Sequence, residues 1–258
     1  MNRIQSLFEH KPSGILSVYF TAGFPHMDDT VTIIRELERA GVDMVEIGIP
    51  FSDPMADGPV IQQSSSVALK GGMTMEKLFG QLQDVRRNVS LPLVMMGYLN
   101  PVMQYGVENF CRDCIAVGID GVIIPDLPFD DYIRDYKPLA MRYGLSFVML
   151  ITPETSEKRI RLIDEHTDGF IYMVSTASTT GVKDRFDEKT LDYFRRINAM
   201  YLKHPRLIGF GISGKATCDA AVQYAGGAIV GSGFIRLLSQ KPSIREAVEA
   251  LTASLRSQ

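Results

Sequence analysis

The sequence has little cysteine, and what it has builds no framework. Cys111, Cys114 and Cys218 are an odd set of three, which cannot staple a fold through paired disulfides. Cys111 and Cys114 spell C-x-x-C, yet no second pair is present to complete a zinc site. The surrounding ENFCRDCIAVG reads as a helix with Phe110, Cys114 and Val117 on one face, which predicts buried packing. No apolar run reaches the length of a membrane span, and MNRIQSLFEH at the N-terminus lacks the apolar core of a signal peptide. A cytoplasmic enzyme is the expectation. A surplus of either charge is also missing: the formal net charge is −3 with 22% charged residues, a balance that favours neither nucleic acid nor an anionic membrane. The histidines are His10, His26, His166 and His204, all outside the strand-like runs, and no His/Asp/Glu cluster has metal-ligand spacing. No lysine falls inside a strand-like run, which argues against a Schiff-base aldolase.

What is present is repetition. Apolar runs of strand length recur from end to end: ILSVYF, DMVEIGI, LPLVMMGY, GVIIPDL, LSFVMLI, GFIYMVS, RLIGFGI and GAIVGS. They are apolar at consecutive positions, the pattern of strands buried on both faces. Helical patterns lie between them. In DDTVTIIRELERAG, Val31, Ile34 and Leu37 share a face and Gly41 stops the helix; in SEKRIRLIDEH, Ser156 is the expected N-cap, with Ile160 and Ile163 on one face. Strand followed by helix, eight times over, predicts a (β/α)8 TIM barrel, with a doubly wound open sheet as the alternative. The length of 258 residues and the absence of a composition break favour one closed barrel over residues 1–258. The connections at 48–91 and 175–205 are long enough to hold extra helices, and long βα connections open on the catalytic end of a barrel.

The strand ends carry the chemistry. Glu46 interrupts the second run between Val45 and Ile47. Either it faces outward to a basic partner or it is a carboxylate at the barrel mouth, where burial would favour its protonated form and let it exchange protons near neutral pH. The following loop, PFSDPMADGP, is stiffened by Pro50, Pro54 and Pro59 and carries Asp53 and Asp57. Asp57 alone reads as a turn residue; together with Glu46 it predicts two carboxylates reaching one pocket. Asp53 reads as a turn or subunit-contact residue. Tyr172, in the sixth run, is either packing or a hydrogen-bond donor to substrate. STASTTG at 175–181 has the composition of a lid. GFGIS at 209–213 and VGSGF at 230–234 bring glycines to the last two strand ends, where barrels commonly bind phosphate, with Ser232–Leu238 as the helix whose N-terminus would help. Gly209, Gly211 and Gly214 also match G-x-G-x-x-G, but their late position excludes a dinucleotide fingerprint. The expectation is a metal-free, cofactor-free barrel acting through carboxylates on a phosphorylated substrate, the phosphate held on backbone amides and not by a cationic side-chain clamp.

EIGIPFSDPMADGP, IPDLPFDD, GFIYMVS…TTG, GFGIS and GSGFIR together resemble the tryptophan synthase α-subunit family, and the similarity runs from TAGFP at 21–25 to the final helices. The resemblance implies retro-aldol cleavage of indole-3-glycerol phosphate to indole and glyceraldehyde 3-phosphate. It implies no cofactor on this chain, pyridoxal phosphate on a partner β subunit, and an α2β2 assembly. It assigns Glu46 to acid–base chemistry, Asp57 to the indole N–H and Tyr172 to substrate contact. Thr180 and Gly181 would end the lid, and Gly181, Gly211, Gly231 and Ser232 would bind phosphate. Phe20, Ile61, Met96 and Phe210 would wall the indole slot. The loop at 50–59 and a second loop at 99–105, with Met103 and Tyr105, would flank the docking face. Arginines that many relatives carry are replaced by Thr176 and Val67, which implies a lid held by fewer charge contacts. Other phosphosugar barrels lack the F-S-D-P-x-A-D-G-P loop, and a non-catalytic binding subunit would lack Glu46 or Asp57. A lyase that releases indole without a partner is the remaining alternative.

Overall fold

Each of the eight apolar runs forms a strand in the computed structural model, which describes residues 2–175 and 185–256. They are β1 (Ile15–Thr21), β2 (Met44–Gly48), β3 (Leu93–Met96), β4 (Gly121–Ile123), β5 (Ser146–Ile151), β6 (Ile171–Val174), β7 (Arg206–Gly209) and β8 (Gly227–Val230). All neighbours pair in parallel, and β8 returns to β1 through Ile15 opposite Gly227, closing the barrel. The sheet therefore has no free edge, and the open-sheet alternative is excluded.

Two cores divide the strand side chains by their period of two. Val18, Phe20, Val45, Ile47, Leu93 and Met95 pack outward against helix residues such as Ile33, Ile34, Leu37, Leu78 and Phe79. Ile15, Met44, Val94, Ile123, Val148, Leu207 and Ile229 form the inner cluster, joined by Ile4. Ile4 belongs to the helix Arg3–His10, and a Cβ added to Gly121, at the start of β4, would lie 2.7 Å from its Cδ1. That helix thus stoppers the N-terminal end of the barrel and leaves the other end for a site.

The intervening helices follow their apolar faces. Thr30, Ile33, Ile34 and Leu37 are the buried side of Thr30–Arg39, with Val31 at its margin. Ser156 caps Glu157–His166, its hydroxyl accepting the Arg159 N–H at 3.3 Å. Cys111 and Cys114 are buried in the helix Val107–Ala116, and burial pushes the Cys111 thiol up to about 11. The long β2–β3 connection holds the helices Pro59–Lys70 and Met75–Leu82. The segment 99–105 departs from its expected loop: Leu99–Tyr105 is a helix. Pro101 falls in its first turn, where a missing N–H removes no helical bond, and the Asp126 carboxylate accepts the Leu99 N–H at 2.8 Å.

Candidate active site

The alternation of β1 and β2 decides where Glu46 points. Val45 and Ile47 are claimed by the outer core, so Glu46 faces in, paired in register with Tyr19. Its side chain is fully buried. The Ser17 hydroxyl donates to Oε1 at 2.7 Å, while Oε2 has no hydrogen-bond partner among the described residues. Burial pushes the carboxyl up to about 7, with the Ser17 hydrogen bond pulling the other way. A buried carboxyl that titrates there can both give and take a proton at neutral pH.

Asp57 arrives from the loop after β2. Gly58 is the N-cap and Pro59 the first residue of the helix Pro59–Lys70, so the turn is rigid where the carboxylate sits. Tyr98, just beyond β3, fixes it from the other side. Its hydroxyl donates to Asp57 Oδ2 at 3.0 Å and accepts the Ala56 N–H at 3.0 Å, and its ring tilts against Phe51 at 5.4 Å. Burial raises the Asp57 carboxyl, and the Tyr98 hydrogen bond opposes that. Asp53 is exposed.

Two tyrosines lie flat across neighbouring strands. Tyr19 of β1 leans over Gly48 of β2, where an added Cβ would stand 2.2 Å from its hydroxyl oxygen. Tyr172 of β6 leans over Gly209 of β7 with a corresponding 2.0 Å. Tyr172 packs edge-on against Phe210, ring centroids 6.2 Å apart. Phe210 has φ +64°, a strained value for a bulky residue, and the Ser175 hydroxyl donates to its carbonyl at 2.6 Å. The turn swings the ring into the site and presents Gly211, itself at φ +70°, to the same space.

These residues enclose one cavity of about 370 Å³. Glu46, Asp57 and Tyr172 line it together with Ile61, Met96, Phe210, Gly211, Gly231 and Ser232. Phe20 does not: it is fully buried in the outer core, because the inward positions of β1 are Ser17, Tyr19 and Thr21. Tyr19 takes the wall position expected of Phe20. Val67 is partly exposed and lies away from the cavity. Thr176, Thr180 and Gly181 lie outside the described residues. Phe186, Asp187 and Thr190 also line the cavity and had no sequence signal beyond the capping pattern D-x-x-T. The Asp187 carboxylate accepts the Thr190 N–H at 2.9 Å and its hydroxyl at 2.7 Å. A cation lines the cavity as well: Arg236, one turn into the helix Ser232–Gln240. That side chain was not among the phosphate-binding groups expected from the sequence.

Comparison with known proteins agrees with this fold. A family model described as "Tryptophan synthase alpha chain" matches residues 7–257. The chain belongs to that family. A tryptophan synthase alpha chain from Parabacteroides distasonis is 58% identical over 256 residues, covering 99% of this chain and 100% of the relative. One from Bacteroides fragilis is 56% identical over 255 residues, covering 99% and 97%. The crystal structure of the tryptophan synthase alpha chain from Legionella pneumophila matches with a TM-score of 0.87 at 31% identity, covering 99% of this chain and 96% of that one. Tryptophan synthase from M. tuberculosis in its aminoacrylate-bound form matches with a TM-score of 0.86 at 28% identity, covering 99% and 98%. Membership of the tryptophan synthase alpha chain family makes this barrel a lyase of tryptophan biosynthesis. Among the described residues, no helix is long and apolar enough to cross a membrane.

Proposed function

We infer that this chain cleaves indole-3-glycerol phosphate to indole and glyceraldehyde 3-phosphate by a retro-aldol route that uses neither metal nor Schiff base. The observation that carries the reading is the pair of unlike carboxylates facing one cavity. Glu46 has an oxygen without a partner among the described residues and a carboxyl raised to about 7, and Asp57 is tethered by Tyr98. Protonated Glu46 gives its proton to C3 of the indole ring. The resulting carboxylate then takes the proton of the adjacent glycerol hydroxyl as the carbon–carbon bond breaks. The electron pair of that bond returns to the ring, the hydroxyl carbon becomes the aldehyde, and Glu46 ends protonated, as it began. Between the two transfers the ring nitrogen carries positive charge, and a fixed carboxylate at Asp57 lowers the energy of that state in a site shielded from water. Tyr19, Ile61, Met96 and Phe210 supply apolar walls for the ring. Among the described residues, no lysine lines the cavity and no three His, Cys, Asp or Glu side chains gather as a metal site, which supports acid–base chemistry by the carboxylates.

Indole is small and apolar, so the chain passes it to a β subunit carrying pyridoxal phosphate, in an α2β2 assembly. Support comes from two large apolar side chains left in water on segments that follow strands at the mouth of the barrel. Met55 is 94% exposed and Met103 58%, the kind of side chain that a partner covers. Tyr105 contributes less, since its ring packs against Phe79 and its hydroxyl donates to Asp113 at 2.6 Å.

The test is incubation of the pure chain with indole-3-glycerol phosphate, with and without a β subunit, assaying indole. Slow release from the chain alone, a large increase with the partner and an isolable complex are expected. No indole under either condition refutes the reading. Equal rates and no complex at micromolar concentrations would make the chain an indole-releasing lyase that works alone.

A further inference from the structure

We propose that Arg236 is a phosphate-recognition residue whose guanidinium closes the anion cradle formed by Gly211, Gly231 and Ser232. The proposal rests on the phosphate ester of the proposed function. It goes further by assigning a specificity-determining side chain where backbone alone was expected.

The helix Ser232–Gln240 starts without compensation. Its N-cap Gly231 offers no side chain, and its first turn holds no acidic residue. Phe234 and Ile235 direct their N–H groups back to the Gly231 carbonyl, at 2.9 and 3.1 Å. The N–H groups of Ser232 and Gly233 have no acceptor among the described residues. This is the positive end of a helix, turned toward the cavity.

Arg236 adds positive charge to that end. It lies four residues after Ser232, on the same face, and side chains on a helix lean toward its N-terminus, so the guanidinium reaches back over the first turn. It lines the same cavity as Ser232 and Gly233. Its guanidinium makes no hydrogen bond or ion pair with a described residue. The guanidinium is half-buried at the positive end of its own helix with no carboxylate bound to it among the described residues, so an anion placed between them is attracted by both. The fork of guanidinium donors matches two phosphate oxygens, while the amides of the first turn can take the third. A separate feature also shows a cavity made for a ligand. Glu46, fully buried on β2, lines the same cavity, and its Oε2 has no hydrogen-bond partner among the described residues.

The cradle and the carboxylates divide the cavity by charge. A ligand with an anionic end and a neutral ring has one favourable orientation, with its phosphate at Arg236 and its ring between Glu46 and Asp57. A neutral molecule such as indole gains nothing from Arg236, so the residue separates phosphate ester from aromatic product.

The experiment measures glycerol 3-phosphate and indole binding by isothermal titration calorimetry, and the kinetics of indole-3-glycerol phosphate, for the full chain and for R236Q and R236K. R236Q is expected to weaken glycerol 3-phosphate about tenfold to a hundredfold, the loss of charge-assisted hydrogen bonds. Indole binding should stay within about twofold, KM should rise by more than kcat falls, and R236K should recover part of the affinity. Glycerol 3-phosphate binding to R236Q within about twofold of wild type overturns the proposal. So does an equal loss of indole and glycerol 3-phosphate, which marks general damage. A wild-type chain that fails to bind glycerol 3-phosphate overturns this proposal and the proposed function together. A wild-type chain that binds it, loses it in R236Q and yet forms no indole upholds the anion site and refutes the lyase reading alone.

Discussion

Glu46→Gln tests the burial of the acid–base carboxyl without reference to turnover. The folded chain holds the Glu46 proton up to about pH 7, against about 4.5 for a free glutamate. The folded state therefore binds that proton more tightly than the unfolded chain does. Its contribution to stability is fully present below about pH 4.5, declines between 4.5 and 7, and is gone above 7. At 1.36 kcal/mol per pKa unit, the swing is about 3 kcal/mol. Glutamine cannot ionise and has no such slope. It keeps an oxygen for the Ser17 hydroxyl, and the pH-independent cost of burying its unpaired amide, about 1–3 kcal/mol, shifts the whole curve without tilting it. The measurement is urea unfolding of both proteins at pH 5, 6, 7 and 8, reported as the difference between them, so that every other titrating group cancels. The variant should gain about 2.5 kcal/mol on wild type across this range, or about 5–10 °C in midpoint if followed by heat. A flat difference would mean that Glu46 is charged and hydrated in the folded chain, and the acid–base role would lose its physical basis. The same variant should lose at least about a hundredfold in indole formation, and the wild-type kcat/KM should fall as pH rises through about 7, where Glu46 loses the proton that starts the reaction.

Three further outcomes follow from neighbouring contacts. Asp57→Asn removes the charge that faces the cationic ring, so turnover should fall steeply while an unreactive indole-propanol phosphate still binds; lost binding with unchanged saturated turnover would make Asp57 purely structural. Tyr98→Phe deletes the hydrogen bond that holds the Asp57 carboxyl down, so the acidic limb of kcat/KM should move to higher pH; an unmoved limb would show that Tyr98 does not tune Asp57. Met55→Glu, in the exposed loop, should weaken β-subunit binding by sedimentation at least about tenfold and leave the slow isolated reaction intact; unchanged binding would place the docking face elsewhere.

The barrel was legible because strands buried on both faces write continuous apolar runs, and a glutamate inside one of them stands out. The same continuity hides the direction of each side chain, and this is why Phe20 was expected at the wall in place of Tyr19. A signal was there: Ser17, Tyr19 and Thr21 alternate along β1 and carry hydroxyls, which marks them as the face turned to a polar interior. The helix at 99–105 was hidden by Pro101, which reads as a breaker unless the helix start is already known. Phe186, Asp187 and Thr190 reach the cavity only through the closure of the barrel, a long-range event that leaves no local pattern. Arg236 was readable in principle as the fourth residue after Ser232, but helical spacing gives the face and not what the face meets.

The ring of Tyr19 occupies the very space that a side chain at Gly48 would need. The two positions are therefore tied in inheritance. While Tyr19 stands, almost any change at Gly48 is harmful, and a lineage can gain a side chain there only after position 19 has become smaller. The order of those steps cannot be reversed without passing through a damaged barrel. Drift in this wall of the active site is thus directional, and the two residues should be found changing as a pair.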